Sequence, residues 1–393
     1  MKKTRSILIA TTMILSLTSL NSCRQKVEEP APATEQTSWV IDKFDDIKVL
    51  RYEVPGFEKL PLQQKMLIYY LAQATKCGRD ILFDQNFKYN LTVRRTLEAI
   101  YTKYDGDRNA AEFKAMEKYL KKVWFANGIH HHYSNDKFQP EFPREWFAQM
   151  VDKYIDPQEL AIEKSLLYDI IFDPALYAIR LNQTDGVDMV TESACNYYEG
   201  VTMKEVEKFY ADMRDDNDPT PISYGLNSKL VKNEKGEIVE QVWKLGGMYS
   251  AAIQQIVFWL EKAAQVAEEP QKSIINALIN YYRTGNLREF DRYNVLWVGD
   301  NESNVDFVNG FIEDYGDPLG RKASWEGTVN FMDSTACRRT QILSANAQWF
   351  EDNAPIQVPQ EGGEGRIGKG YHRGYARWRL LPRNSYRYQP AQC

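Results

Sequence analysis

From residue 61 onward the apolar positions are spaced mainly as helices require. Pro61 opens a segment in which Met66, Leu67, Tyr70 and Leu71 fall on one face, and Gly78 closes it. Leu91, Val93, Leu97 and Ile100 repeat that spacing and predict a helix over 91–104; a third, over 109–126, ends at Gly128. Further helices are predicted over 143–153, 158–171, 203–213, 247–267 and 271–283, the last stopped by Gly285. The period changes at Ser228–Val231 and Ile238–Trp243, which flank the turn Asn233–Gly236 and predict a β-hairpin; 305–312 and 327–331 also read as strands. There is no internal repeat. The pattern predicts a mostly helical α+β protein of two lobes.

The first residues follow a different logic. Lys2, Lys3 and Arg5 form a basic stretch, Ile7 to Leu20 a short apolar one, and Leu20-Asn-Ser-Cys23 ends it as a lipoprotein cleavage box does. Residues 1–22 are therefore expected to be a lipoprotein signal peptide, the competing reading being a plain secretory signal with an incidental cysteine. Lipidation of Cys23 would anchor the chain to a membrane through several acyl chains, and residues 23–40 read as a solvated tether. The expected location is the cell envelope, at the outer membrane or a periplasmic face. No second run of about eighteen apolar residues follows, so 41–356 is expected to be soluble.

Composition narrows the partners. Losing Lys2, Lys3 and Arg5 with the signal takes the formal charge from -5 to -8, which argues against nucleic acid, since phosphate binding needs a basic footprint. Aromatic residues make up 13% of the chain, which suits either a broad ligand-gripping cleft or an aromatic-rich core. Apart from Cys23, the cysteines Cys77, Cys195, Cys337 and Cys393 have no metal-ligand spacing and are expected to be free thiols, with one disulfide possible in an oxidising compartment.

Four blocks carry the most specific information: Gly78-Arg-Asp-Ile-Leu-Phe-Asp-Gln-Asn86 with Tyr89–Glu98 behind it; Val123–Tyr133, containing Asn127-Gly-Ile-His-His-His132; Asn196-Tyr-Tyr-Glu-Gly-Val-Thr202; and Gly310-Phe-Ile-Glu-Asp-Tyr-Gly-Asp-Pro-Leu-Gly-Arg321 followed by Trp325-Glu-Gly-Thr-Val329. Together they resemble the dipeptidyl peptidase III family, whose members carry a Glu-x-Tyr-x-Asp-Pro-x-Gly stretch with a downstream Glu-Gly. The resemblance implies the N-terminal portion of a two-lobed zinc exopeptidase that releases dipeptides from oligopeptides, with its cleft between a helical zinc lobe and a lobe with a β-barrel core. It assigns Glu313 to the carboxylate that holds the substrate's ammonium group, a charge-assisted pair, and Tyr315 to the hydroxyl that steadies the scissile carbonyl oxygen. Both are expected to lie on one strand, two residues apart and therefore on the same face. Asp317-Pro318 and Gly320-Arg321 read as the turn that ends it. Asn127, His131 and His132 are placed by the resemblance at the rim of the cleft. In a strand His130 and His132 would share a face, but no carboxylate or cysteine at ligand spacing accompanies them, so a metal site is not expected there.

Family members hold zinc with His-Glu-x-x-Gly-His and a later Glu-Glu-Cys-Arg-like helix. Here the histidines are His130, His131, His132 and His372, and none precedes a glutamate, so no zinc is expected to bind the chain as written. After about Gln357 the composition changes to Gly-Glu repeats and then an arginine-crowded stretch without periodicity. Reading 370–392 in the neighbouring frame, where the Trp378 codon must yield glycine, permits VITVATLGGDCYPATPIGINLPN, a strand, a turn and a loop like that of the family. A frameshift around 357–369 is therefore expected, with 357–393 an aberrant tail and the chain a truncated, inactive copy. Two other readings compete, a non-catalytic, lipid-anchored peptide-binding protein and a misfolded remnant; the peptidase reading is favoured for the locus and the remnant for the polypeptide itself.

Overall fold

The computed structural model describes residues 39–353, so the signal, Cys23 and most of the tether, the tail and Cys393 lie outside the described residues. The chain divides into two compact units at Tyr52/Glu53. In the first, β1 (Val40–Phe44) and β2 (Ile47–Leu50) pair antiparallel across a tight turn with a bulge between Val40 and Asp42.

The second unit is mostly helical. Its helices are α1 (Leu62–Cys77), α2 (Arg79–Asn86), α3 (Asn90–Lys103), α4 (Ala111–Ala126), α5 (Arg144–Tyr154), α6 (Lys164–Phe172), α7 (Met203–Asp212), α8 (Ser250–Val266), α9 (Gln271–Thr284), α10 (Leu287–Gly299), α11 (Ser334–Ala345) and α12 (Ala347–Asp352). Its strands are β3 (Tyr198–Glu199), β4 (Ser228–Lys232), β5 (Ile238–Val242), β6 (Val305–Glu313) and β7 (Ser324–Phe331). The expected hairpin is β4–β5, extended by parallel pairing of β3 with β4, and β6 pairs antiparallel with β7. The α+β class and the helical majority are as expected. Among the described residues the strands form separate sheets of two and three strands, and no barrel closes.

Two hydrophobic cores form within this unit. One gathers α1, α8, α9 and α10 around the β6–β7 hairpin through Leu71, Ile256, Leu260, Leu278, Phe307 and Phe311. The other gathers α3 to α6 through Val93, Leu97, Met116, Leu120, Phe147 and Ile170. Helix α2 belongs to both, since its Ile81 enters the first core and its Phe83 the second. The switch is abrupt because Gly78 lets the chain turn directly from α1 into α2; a Cβ there would lie 2.1 Å from the Trp325 indole. The thiols of Cys77 and Cys195 are free. Among the described residues no helix is long and apolar enough to cross a membrane.

Candidate functional site

Helix α2 ends in Asp84-Gln85-Asn86, three polar residues in sequence, and each ties a different part of the chain to it. The Asp84 carboxylate accepts from Asn196 Nδ2 at 2.9 Å and from the Tyr249 hydroxyl at 2.6 Å. Gln85 is fully buried: its side chain donates to the Ala323 carbonyl and accepts from Trp325 N–H, while its own carbonyl accepts from Asn196 N–H. Asn86 donates to the Asn127 carbonyl at 3.0 Å and accepts from Arg180 at 2.8 Å. All four sequence blocks thus meet on one short helix. Burial lifts the Asp84 carboxyl above its usual range, even though Tyr249, Lys229 and Asn196 each pull it down.

The rim is built from turns. Asn127 caps α4 in the left-handed region (φ 53°), a conformation asparagine tolerates, and its carbonyl accepts from Asn86 and Asn90. His130 pairs with Lys137 as an isolated bridge and its Nε2 meets the Tyr177 carbonyl at 2.8 Å; burial pushes this imidazole down to about 4. The segment is not a strand through His132, which lies in a turn. His131 Nδ1 accepts from the N–H groups of Tyr133 and Ser134, which curls the chain into a turn, and the rings of His131 and His132 stack 4.5 Å apart.

Glu313 and Tyr315 do not share a strand either. Strand β6 ends at Glu313, just after a bulge between Phe311 and Glu313, and Tyr315 stands in the turn beyond. The physical cause is Asp317. Its carboxylate accepts from the N–H groups of Leu319, Arg321 and Lys322 and from the Tyr198 hydroxyl, and its own N–H donates to the Asp314 carbonyl. These hydrogen bonds, with a further one from Gly320 N–H to the Asp317 carbonyl, bend the chain before the strand can continue, which is the structural part foreseen for the Asp317-Pro318 turn. The bend leaves Glu313 exposed and Tyr315 72% exposed.

Arg180 is the residue that sequence reasoning missed. Its Nε and one terminal nitrogen donate to Asn135 Oδ1, the other terminal nitrogen donates to Asn86, and the Tyr315 hydroxyl lies within electrostatic reach. It therefore brings the Asn127 cap, the His131–His132 turn and Tyr315 into one neighbourhood. A groove of about 620 Å3 opens beside the third block, lined by Lys88, Tyr177, Asn196, Tyr198, Glu199 and Lys232, but it contains neither Glu313 nor Tyr315. The chemistry-bearing groups are on the exposed turn instead.

The metal chemistry that the family resemblance implies does not fit these residues. Among the described residues no group of three or more His, Cys, Asp or Glu side chains could hold a metal ion. His130 is committed to the Tyr177 carbonyl, and the rings of His131 and His132 stack on each other.

Residues 223–361 match the model of Peptidase family M49. Dipeptidyl peptidase 3 of Mus musculus is 29% identical over 131 residues, which cover 33% of this chain and 18% of that one. Dipeptidyl peptidase 3 of Nematostella vectensis is 22% identical over 278 residues, covering 62% of this chain and 38% of its own. The solved structure of DPP III from Caldithrix abyssi has a similar fold, with a TM-score of 0.50 and 15% identity over 77% of this chain and 45% of that one. The class is thus a peptidase one. These matches support a relationship to the dipeptidyl peptidase III family, and this chain spans less than half the length of these relatives.

Proposed function

We propose that this chain carries the peptide-holding part of a dipeptidyl peptidase III-type cleft, from a locus that encodes a zinc exopeptidase releasing N-terminal dipeptides from oligopeptides. In this reading the exposed Glu313 carboxylate pairs with the substrate's free ammonium group, and the Tyr315 hydroxyl donates to the carbonyl oxygen at which charge would develop. Asn127, His131 and His132 contact the peptide from the rim. The observation that carries the reading is the meeting of all four family-like blocks on α2, with Arg180 linking Asn86 to the neighbourhood of Tyr315.

In this reading residues 41–356 supply the peptide-holding groups, and the His-Glu-x-x-Gly-His string that would hold zinc is not among them. Residues 370–393 are out of frame, and Cys23 carries the lipid anchor. If the arrangement has been retained for its own sake, the chain is a lipid-anchored peptide-binding protein. The test is to sequence the gene from codon 350 onward and to assay the purified chain for dipeptide release in added zinc. Zinc-dependent release by the chain as written would overturn the reading. A restored frame running into the missing string would move the activity to a longer product, with Glu313 and Tyr315 in the same roles.

A further inference from the structure

The third sequence block, Asn196–Thr202, holds α2 through Asn196, but most of the block faces the groove of about 620 Å3 beside it. Residues Tyr198 to Thr202 line that groove without a break, together with Lys88, Lys204 and Lys232. Within this wall β3 is an edge strand, paired on one side only and parallel to β4. The Leu230 N–H donates to the Tyr197 carbonyl and the register sets Tyr198 opposite Leu230, so the pairing uses the backbone groups of Tyr197 and Glu199. The N–H and C=O of Tyr198 therefore turn away from β4, and no backbone group of the described residues takes them. A donor and an acceptor side by side on a sheet edge are what an extended chain pairs with. The charges on the wall also have a sign. Glu205 accepts from Lys232 at 2.6 Å, and Glu199 accepts at 2.5 Å from Lys229, whose ammonium also donates to Asn196. Each carboxylate thus has its lysine. Among the described residues neither Lys88, which lies over the Tyr89 ring, nor Lys204 has a carboxylate within ion-pair distance. In a chain of formal charge -5 the groove is locally basic.

We propose that this groove binds an acidic peptide segment in extended form, one peptide residue exchanging both backbone hydrogen bonds with Tyr198 and acidic side chains reaching Lys88 and Lys204. It is a second peptide site, since neither Glu313 nor Tyr315 lines it and it needs no free ammonium group. Its volume lies within the roughly 300–1,000 Å3 of ligand pockets. Tyr198 belongs to both places: its hydroxyl donates to Asp317 at 2.8 Å, so a segment bound in the groove lies against a residue that braces the Glu313–Tyr315 turn.

The test uses the full chain and octapeptides acetylated at one end and amidated at the other, which offer Glu313 no ammonium group to hold. Calorimetry compares alternating Glu and Thr with alternating Lys and Thr, and the acidic peptide should bind ~10-fold or more tightly. Lys88→Glu combined with Lys204→Glu, both exposed, should weaken the acidic peptide by ~10-fold or more, while Glu313→Gln leaves it within about twofold of wild type. A second measurement keeps the wild-type chain and methylates the peptide nitrogens of either all Glu or all Thr residues, which blocks one edge of the extended peptide or the other. One set should lose ~10-fold and the other little. No binding at millimolar peptide, equal affinity for the two peptides, a charge-reversed chain that binds as wild type does, or two methylated sets that behave alike overturns the proposal. Loss of the acidic peptide in Glu313→Gln overturns it too, because that peptide would then lie on the turn. None of these results depends on an ammonium group at Glu313, so the two sites fail separately.

Discussion

Asp317 and Lys322 sit five residues apart in one turn and respond to burial in different ways. Asp317 is 1% exposed and satisfied by four donors, although burial still lifts its carboxyl above the ordinary range. Asp317→Asn removes an acceptor oxygen and should cost about 1–3 kcal/mol in urea denaturation, with Tyr315 the first side chain to become mobile. Lys322 is fully buried with its ammonium on the Tyr210 hydroxyl, the Ser228 hydroxyl and the Gly225 carbonyl, near Glu240, and desolvation pushes it down to about 7. Below pH 7 the lysine is charged in both folded and unfolded chains, so the full cost of burying the charge is present. Between about 7 and the ordinary lysine value the unfolded chain binds the extra proton, so stability rises with pH, by at most about 1.4 kcal/mol per unit. Lys322→Met should lose that rise. Denaturation midpoints at pH 7 and pH 9 decide it, and equal slopes in both proteins would count against this account of the buried ammonium.

At the scale of elements, α2 decides how the site is assembled. Gln85→Ala would strand the buried Ala323 carbonyl and Trp325 N–H together, an expected loss of about 2–4 kcal/mol. Gly78→Ala would press a methyl group into the Trp325 indole and should lower the melting temperature by several degrees, measured by circular dichroism. Neither cost is legible in the sequence. Helices α1, α3, α4 and α9 were, because apolar residues recur at three and four and Pro or Gly marks an end. Helix α2 escapes that reading since its buried face includes Gln85 and Asn86, which need distant partners to be satisfied there. The start of α6 falls six residues later than the pattern suggests, because Asp156 caps a separate short turn over Pro157–Glu159. Helix α10 was missed despite a local signal, Asn286 capping Arg288 N–H. Glu313 and Tyr315 were reached through the family-like block, whereas Arg180 lies 45 residues from Asn135 and 94 from Asn86, a pairing set by tertiary structure alone.

Taken whole, the described region has two cores joined by α2 and an unpartnered surface on its last two helices. Ile342, Leu343, Trp349 and Phe350 are all at least half exposed, and α11 buries only Cys337. Ile342→Ser with Leu343→Ser should leave the denaturation midpoint within about 0.5 kcal/mol of wild type while reducing self-association, measured by light scattering. The central claim concerns the turn that carries Glu313 and Tyr315, and calorimetry on the full chain tests it most directly. One oligopeptide is titrated twice, with its amino group free and with it acetylated, against wild type and Glu313→Gln. The account predicts binding of the free peptide, at least tenfold weaker binding once the ammonium is acetylated, and a comparable loss in Glu313→Gln, as expected for an ammonium–carboxylate pair worth about 1.5–3 kcal/mol. Equal affinity for both peptides, or a Glu313→Gln chain that binds as tightly as wild type, would contradict it.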